Sequence, residues 1–169
     1  MKKITILFLF QILCLNAQEV TVSSGKIDQI EKFKSAFVDA RNITIWMPDG
    51  YSKDKKYAVL YMHDGQMLYD AEQTWNKQAW EVDEVMAKLK TAQQIQDVIV
   101  VGIWNGGETR HFDYFPQKPF EMLTQKQQDS IYNLERSAGV KLFNGRVSSD
   151  NYLKFIVQEL KPVIDKKYA

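Results

Sequence analysis

The chain has 169 residues, 22 of them basic and 21 acidic, for a formal net charge of +1. That balance excludes the electrostatic footprint of a nucleic-acid binder, and no long basic stripe interrupts the sequence. A single cysteine, Cys14, excludes an internal disulfide framework. At the amino terminus, Lys2 and Lys3 precede an apolar run from Ile4 to Leu15 that is broken only by Thr5, Gln11 and Cys14. Asn16-Ala17 then places a small residue at a cleavage point. This is the pattern of a secretory signal peptide, and the run is short for a transmembrane helix. A retained amino-terminal anchor is the alternative. Lipoprotein processing at Cys14 would need a small residue before the cysteine, where bulky Leu13 stands. Cleavage after Ala17 makes Gln18 the new terminus and leaves 152 of 169 residues, enough for one domain with a single core. The expected protein is exported, periplasmic or secreted, with no transmembrane span once the signal is removed. Losing Lys2 and Lys3 leaves 20 basic against 21 acidic residues, a net charge of −1, and Cys14 departs with them.

Val20 to Ser24 reads as an edge strand. Ala36 to Met47 follows, with Phe37, Ile43, Ile45 and Met47 as its apolar set, and reads as a strand or hairpin. It ends at Pro48-Asp49-Gly50-Tyr51, where Pro and Gly occupy expected turn positions. Beyond a polar connector from Ser52 to Lys56, Tyr57 to Met62 is a buried run that breaks sharply at His63-Asp64-Gly65. Such a run is a core strand, and the loop past its carboxyl end is where α/β proteins place binding groups. From Trp80 to Leu89 the period changes: Trp80, Val82, Val85, Met86 and Leu89 fall on one helical face. Acidic residues lie toward the start and Lys88 and Lys90 toward the end, as the helix dipole prefers. Asp97 to Trp104 is a second continuous apolar run, rich in β-branched residues. Strand, helix and strand in this order predict a crossover and a parallel pair. Asn105 to Asp150 has no clear period beyond a helix over Phe120 to Leu134, and loops this long are functional or mobile. Asn151 to Lys166 is amphipathic, with Pro162 predicting a kink or local break.

Four segments carry a resemblance. R-N-I-T-I-W-M-P-D-G-Y from Arg41, K-Y-A-V-L-Y-M-H-D-G-Q from Lys56, V-I-V-V-G-I-W-N with R-x-x-D-Y-F-P soon after, and the closing Y-L-K-F-I-V-Q-E-L-K-P-V-I-D-K-K-Y stand in this order. Together they resemble the secreted putative-esterase family, the esterase D, feruloyl-esterase and enterochelin-esterase-like branch of the α/β-hydrolases. The likeness runs from about Arg41 to Tyr168. It implies an α/β-hydrolase-like sandwich with a central, mostly parallel sheet, represented by its amino-terminal part and truncated before the nucleophile elbow. It implies a carboxylic ester hydrolase, with acetyl or feruloyl esters of a polysaccharide as plausible substrates.

The same resemblance marks what the sequence does not contain. Serine hydrolysis needs a hydroxyl on a sharp G-x-S-x-G turn and a histidine to activate it. No serine here sits in that motif. Ser148-Ser149 has Gly145 before it but no following glycine, and helix initiation before Asn151 explains it better. His63 and His111 do not match the family's catalytic histidine. On the electrophilic side, the backbone N–H groups of Gly65 and Gln66 match the loop from which the fold draws one oxyanion donor. The other reading of this loop is a plain strand-ending turn stabilised by Asp64. Asp64, Trp80, Asn105, Arg110 and Tyr114 are candidates for substrate binding, against the reading of a surface loop with satisfied polar groups. Trp75, Trp80 and Trp104 line an aromatic pocket or belong to the core. Two histidines without a spaced third ligand make no metal site, and no cofactor is implied. Core packing or a hydrogen bond across the loop accounts for His63.

Three readings follow. The first is an ester hydrolase fragment, catalytically dead for want of nucleophile, acid and histidine. The second is a non-catalytic exported protein that binds a carbohydrate or an ester. The third is a truncation product with no stable fold. An open sheet edge, expected at Asp97 to Trp104, predicts self-association.

Overall fold

The computed structural model describes residues 20–168, so the signal-peptide reading of Met1 to Ala17 lies outside the described residues. Four strands form the main sheet: β1 (Lys26–Phe33), β2 (Arg41–Met47), β3 (Ala58–His63) and, after helix α1 (Val82–Thr91), β4 (Val98–Ile103). Their spatial order is β1-β2-β4-β3. β2 runs antiparallel to both β1 and β4, while β3 and β4 are parallel, with Leu60 opposite Val100 and His63 opposite Ile103. The parallel pair joined by α1 is the crossover expected from the two apolar runs.

β2 and β4 are buried on both faces, which is why β4 is continuously apolar rather than alternating and why β2 is apolar at Ile43 and from Ile45 to Met47 around the buried Thr44. Ile43, Ile45, Ile99, Val101 and Ile103 point to one face, where Tyr152, Phe155, Leu160 and Ile164 of the carboxyl-terminal helices cover them. Trp46 and Val100 point to the other, against Leu68, Tyr69 and Val82, with Met86 of α1 packed on them. Each such side chain taken fully from water stabilises the fold by about 2 kcal/mol.

The final helix is continuous but irregular: α5 (Ser149–Lys154), a π-helical segment Phe155–Leu160, and α6 (Lys161–Lys167). Pro162 stands in the first turn of α6, and the N–H of Lys161 reaches back five residues to the carbonyl of Ile156. Widening the preceding turn accommodates the proline ring and its missing donor, so the break expected there takes the form of a π-bulge.

Four expectations need correction. The amino-terminal edge strand is Lys26–Phe33, not Val20 to Ser24. Its K-I-D-Q-I-E-K-F sequence carries the charges of a solvent-facing edge, whereas Val20 and Val22 pack as coil on the Trp46 cluster. The crossover helix begins at Val82, and Trp80 lies outside it with its N–H on the carbonyl of Met67. The single helix over Phe120 to Leu134 is two, α3 (Gln117–Glu121) and α4 (Gln125–Tyr132), after the short α2 (Arg110–Tyr114). The break comes at Thr124, where Gln127 Oε1 accepts from both the N–H and the hydroxyl of Thr124 and starts a new helix. A short hairpin, β5 (Glu135–Ser137) and β6 (Val140–Lys141), follows α4. Last, the open edge is not Asp97 to Trp104. β4 is inserted between β2 and β3, so among the described residues the edges are the charged β1 and the uncharged β3, where Leu60 is 41% exposed.

Candidate functional site

β3 and β4 run parallel, so their carboxyl ends deliver two loops to the same place. The first begins at Asp64, whose backbone is left-handed (φ 55°, ψ 44°), and continues as a 3₁₀ turn over Gly65–Met67. Asp tolerates that conformation better than most side chains do. Gly65 is required for packing rather than for φ. A Cβ there would lie 2.5 Å from the carbonyl carbon of Gly102 on β4 and 2.8 Å from Trp104. The N–H groups of Gly65 and Gln66 belong to the first turn of a helix, where backbone donors have no partner within the helix.

The second loop brings Asn105 and Arg110. Arg110 donates from Nε to Asp64 Oδ1 at 2.8 Å and from Nη2 to Oδ2 at 2.8 Å, a bidentate pair. Asn105 Nδ2 donates to the same Oδ1 at 2.7 Å, and its backbone N–H donates to Gln66 Oε1 at 3.2 Å. Burial alone would push the Asp64 carboxyl up, but Arg110 and Asn105 outweigh it and hold the group below the usual carboxylate range. The Asp64 side chain makes no cap hydrogen bond to the turn it starts; its carboxylate instead locks the guanidinium and amide in place.

Tyr114 lies under Arg110, its ring 5.2 Å from the guanidinium carbon, and does not reach the cleft wall. It also packs on His63 with ring centroids 4.9 Å apart. His63 Nδ1 is 2.9 Å from the hydroxyl of Tyr152, the hydrogen bond across the loop expected for it. Burial pushes the imidazole below its ordinary pKa, so His63 is neutral near pH 7. The whole second loop is anchored from beneath by Arg41, which donates from Nη2 to Asp113 Oδ2 at 3.1 Å with both side chains buried.

Above this network lies a cleft of about 510 Å³. Asp64, Gln66, Asn105 and Arg110 line it, as do Trp75 and Trp80. Trp80 is 49% exposed and Trp75 87% exposed. Their loop is held by Asp70, whose carboxylate accepts from the N–H of Glu72, and by buried Thr74, whose hydroxyl accepts from the N–H of Gln78. Trp104 is not part of the cleft and packs beside Gly65. Sequence reasoning did not find Met67, Asn76, His111 or Arg136, which complete the lining. Arg136 comes from β5, a strand of three residues, too short for any period to show. Ser148 and Ser149 initiate α5: the N–H of Asn151 reaches Ser148 O at 2.9 Å, and Ser149 Oγ accepts from Gln117 N–H. Among the described residues no group of three His, Cys, Asp or Glu side chains could hold a metal, and no helix is long and apolar enough to cross a membrane.

A sheet with a parallel crossover, helices on both faces and polar loops gathered at the carboxyl ends of β3 and β4 defines an α/β-hydrolase-like sandwich. Solved structures share that fold. A CE1 ferulic acid esterase from Anaeromyces mucronatus, in complex with ferulic acid, matches with a TM-score of 0.50 at 16% identity, over 89% of this chain and 46% of that one. An IroE-like serine hydrolase from Shewanella oneidensis matches with a TM-score of 0.53 at 20% identity, over 85% of this chain and 39% of that one. The chain thus spans less than half the length of either. The sequence pattern of the family described as putative esterase matches residues 35–169, and the chain belongs to that family.

Proposed function

We propose that this chain supplies the oxyanion and substrate-orienting side of a carboxylic ester hydrolase acting on acetyl or feruloyl esters of a polysaccharide, outside the cytoplasm. The observation that carries the reading is the site at the ends of β3 and β4. The turn of Gly65 and Gln66 follows directly on Asp64, which immobilises a guanidinium and an amide, and Gln66 lines the cleft with two exposed tryptophans. Fixed donors of this kind stabilise a developing oxyanion, because they cost no reorganisation when charge appears. The 169 residues hold no G-x-S-x-G turn. With donors and no nucleophile, they accelerate hydrolysis little or not at all. Purified chain should therefore leave p-nitrophenyl acetate and methyl ferulate at the rate of a denatured-protein control. Turnover abolished by Ser148→Ala or Ser149→Ala would overturn the proposal, because it would reveal a nucleophile outside an elbow. Binding of the ester without turnover is the property shared with the second reading, a non-catalytic carbohydrate- or ester-binding protein. The exposure of Trp75 and Trp80 favours that second reading.

The open edge supports a further property of the same chain. β3 reads A-V-L-Y-M-H, carries no Lys, Arg, Asp or Glu, and among the described residues pairs with β4 on one side only. Unpaired N–H and C=O groups on an uncharged strand recruit other chains. Sedimentation at about 100 μM should show concentration-dependent association, and Leu60→Lys should shift the protein toward monomer. A monodisperse wild-type monomer at that concentration would refute self-association through this edge.

A further inference from the structure

The cleft is not electrically neutral. Asp64 is the single carboxylate among the residues that line it, and it faces two guanidinium groups, Arg110 and Arg136. Its oxygens are already occupied by Arg110 and Asn105. Arg110 is thereby balanced, but its side chain remains 42% exposed, and the two hydrogen bonds to Asp64 use only Nε and Nη2. Arg136 has no carboxylate partner among the described residues. One positive charge is left over, carried into the cleft lining by Arg136 of the β5–β6 hairpin.

Apart from Met67 and His111, the remaining surface of the cleft is of two kinds. Trp75 and Trp80 stand exposed to solvent, an unusual exposure for the largest apolar side chain. Amide side chains supply the polar contacts: Asn76 lines the cleft, and Gln66, which accepts through Oε1 from the Asn105 N–H, keeps its amide N–H₂ to donate. Flat faces for rings, amides for hydroxyls and an uncompensated guanidinium for an anion describe one ligand chemistry, a saccharide whose ring carries a carboxylate.

We propose that this cleft binds a hexuronate-containing oligosaccharide, with a sugar ring on Trp75 or Trp80 and its carboxylate at Arg136. The inference rests on the polysaccharide-ester reading above and specifies the charge of the saccharide. Guanidinium groups pair bidentately with carboxylates, which is the physical basis for preferring an acidic sugar to a neutral one.

The test titrates purified chain with a hexuronate trimer, a neutral xylose trimer and ferulate, following tryptophan fluorescence. The uronate trimer should bind about tenfold more tightly than the neutral trimer, the worth of one charge-assisted hydrogen bond. Arg136→Gln, at an exposed hairpin position where the fold tolerates change, should reduce that preference to about twofold or less. Added salt should weaken the uronate interaction and leave the neutral one unchanged. Equal binding of both trimers would overturn the proposal, as would a uronate preference that survives Arg136→Gln. Ferulate binding more tightly than the uronate trimer would also overturn it, because the anion site would then serve an aromatic acid. Ester turnover is read separately with p-nitrophenyl acetate, so the uronate preference can fail while the hydrolase reading stands, and the reverse.

Discussion

Asp113→Ala is expected to lower the unfolding free energy by about 3–5 kcal/mol, enough to unfold a domain of ordinary stability. Asp113 is 3% exposed and receives three groups: Arg41 Nη2 at 3.1 Å, the Thr109 hydroxyl at 2.7 Å and the Ser148 hydroxyl at 3.4 Å. Those donors come from the start of β2, the turn before α2 and the residue before α5, so one carboxylate ties three elements together. Arg41 is sandwiched against aromatic faces, 5.2 Å from the Tyr152 ring and 5.5 Å from that of Phe155. Among the described residues its Nη1 has no hydrogen-bond partner, and its Nε reaches only the carbonyl of Asp39. Removing Asp113 would leave this guanidinium buried and uncompensated. The net worth of an intact buried pair is small, because desolvation offsets most of the attraction, and the cost lies in breaking it from one side. Two comparisons isolate that cause. Asp97→Ala removes the partner of Lys90, a pair at 3.0 Å with side chains 34% and 37% exposed, and should cost less than about 1 kcal/mol. Arg41→Met combined with Asp113→Leu should recover most of the loss. Denaturant midpoints decide between the outcomes, and an Asp113→Ala shift no larger than that of Asp97→Ala would sink the argument.

What could be read from the sequence follows from what short-range pattern encodes. β4 is legible because a strand buried on both faces must be apolar at every position, and a run such as V-I-V-V-G-I admits little else, while β3 shows as an apolar run although it lies half-exposed at the edge. β1 is not legible, because its exposed edge carries Lys26, Asp28, Glu31 and Lys32 among its apolar residues. Strand order is a property of how the chain crosses over. Nothing local in Asp97 to Trp104 records that β4 is interior, and this put the expected open edge on the wrong strand. In the site, the loops after the two strands were found as loops. The bond that makes them one object joins Asp64 to Arg110 across 46 residues of chain, and spacing cannot reveal it. Arg136 was invisible for a related reason. Its hairpin turns at Gly139, with φ 73°, but strands of three and two residues give no alternation to read.

Gly65→Ala should cost about 3 kcal/mol and also disturb the Gln66 amide, because the added methyl has nowhere to go. Its Cβ would stand 2.5 Å from the carbonyl carbon and 2.7 Å from the carbonyl oxygen of Gly102, and 2.8 Å from Cδ1 of Trp104. Two of these are backbone atoms of a central strand, hydrogen-bonded on both sides, so no rotamer change relieves the contact. Gly102 has no room for a side chain either: a Cβ there would meet Thr44 Oγ1 at 2.6 Å, Leu68 at 2.8 Å and the Cα of Gly65 at 3.2 Å. The two glycines therefore face each other because neither β4 nor the 3₁₀ turn could approach this closely with a side chain between them. Gly50→Ala supplies the contrast. Gly50 has φ 76° with nothing within 4 Å of where a methyl would stand, so only left-handed strain opposes the substitution, at about 1 kcal/mol. If close approach is what Gly65 provides, its variant loses roughly three times as much stability as Gly50→Ala in a denaturant titration. It should also weaken binding of methyl ferulate, read by tryptophan fluorescence, in whatever fraction remains folded. Equal losses for the two variants would mean that the turn can lift away from β4 at little cost. The Gly65 and Gln66 donors would then not be fixed by the fold.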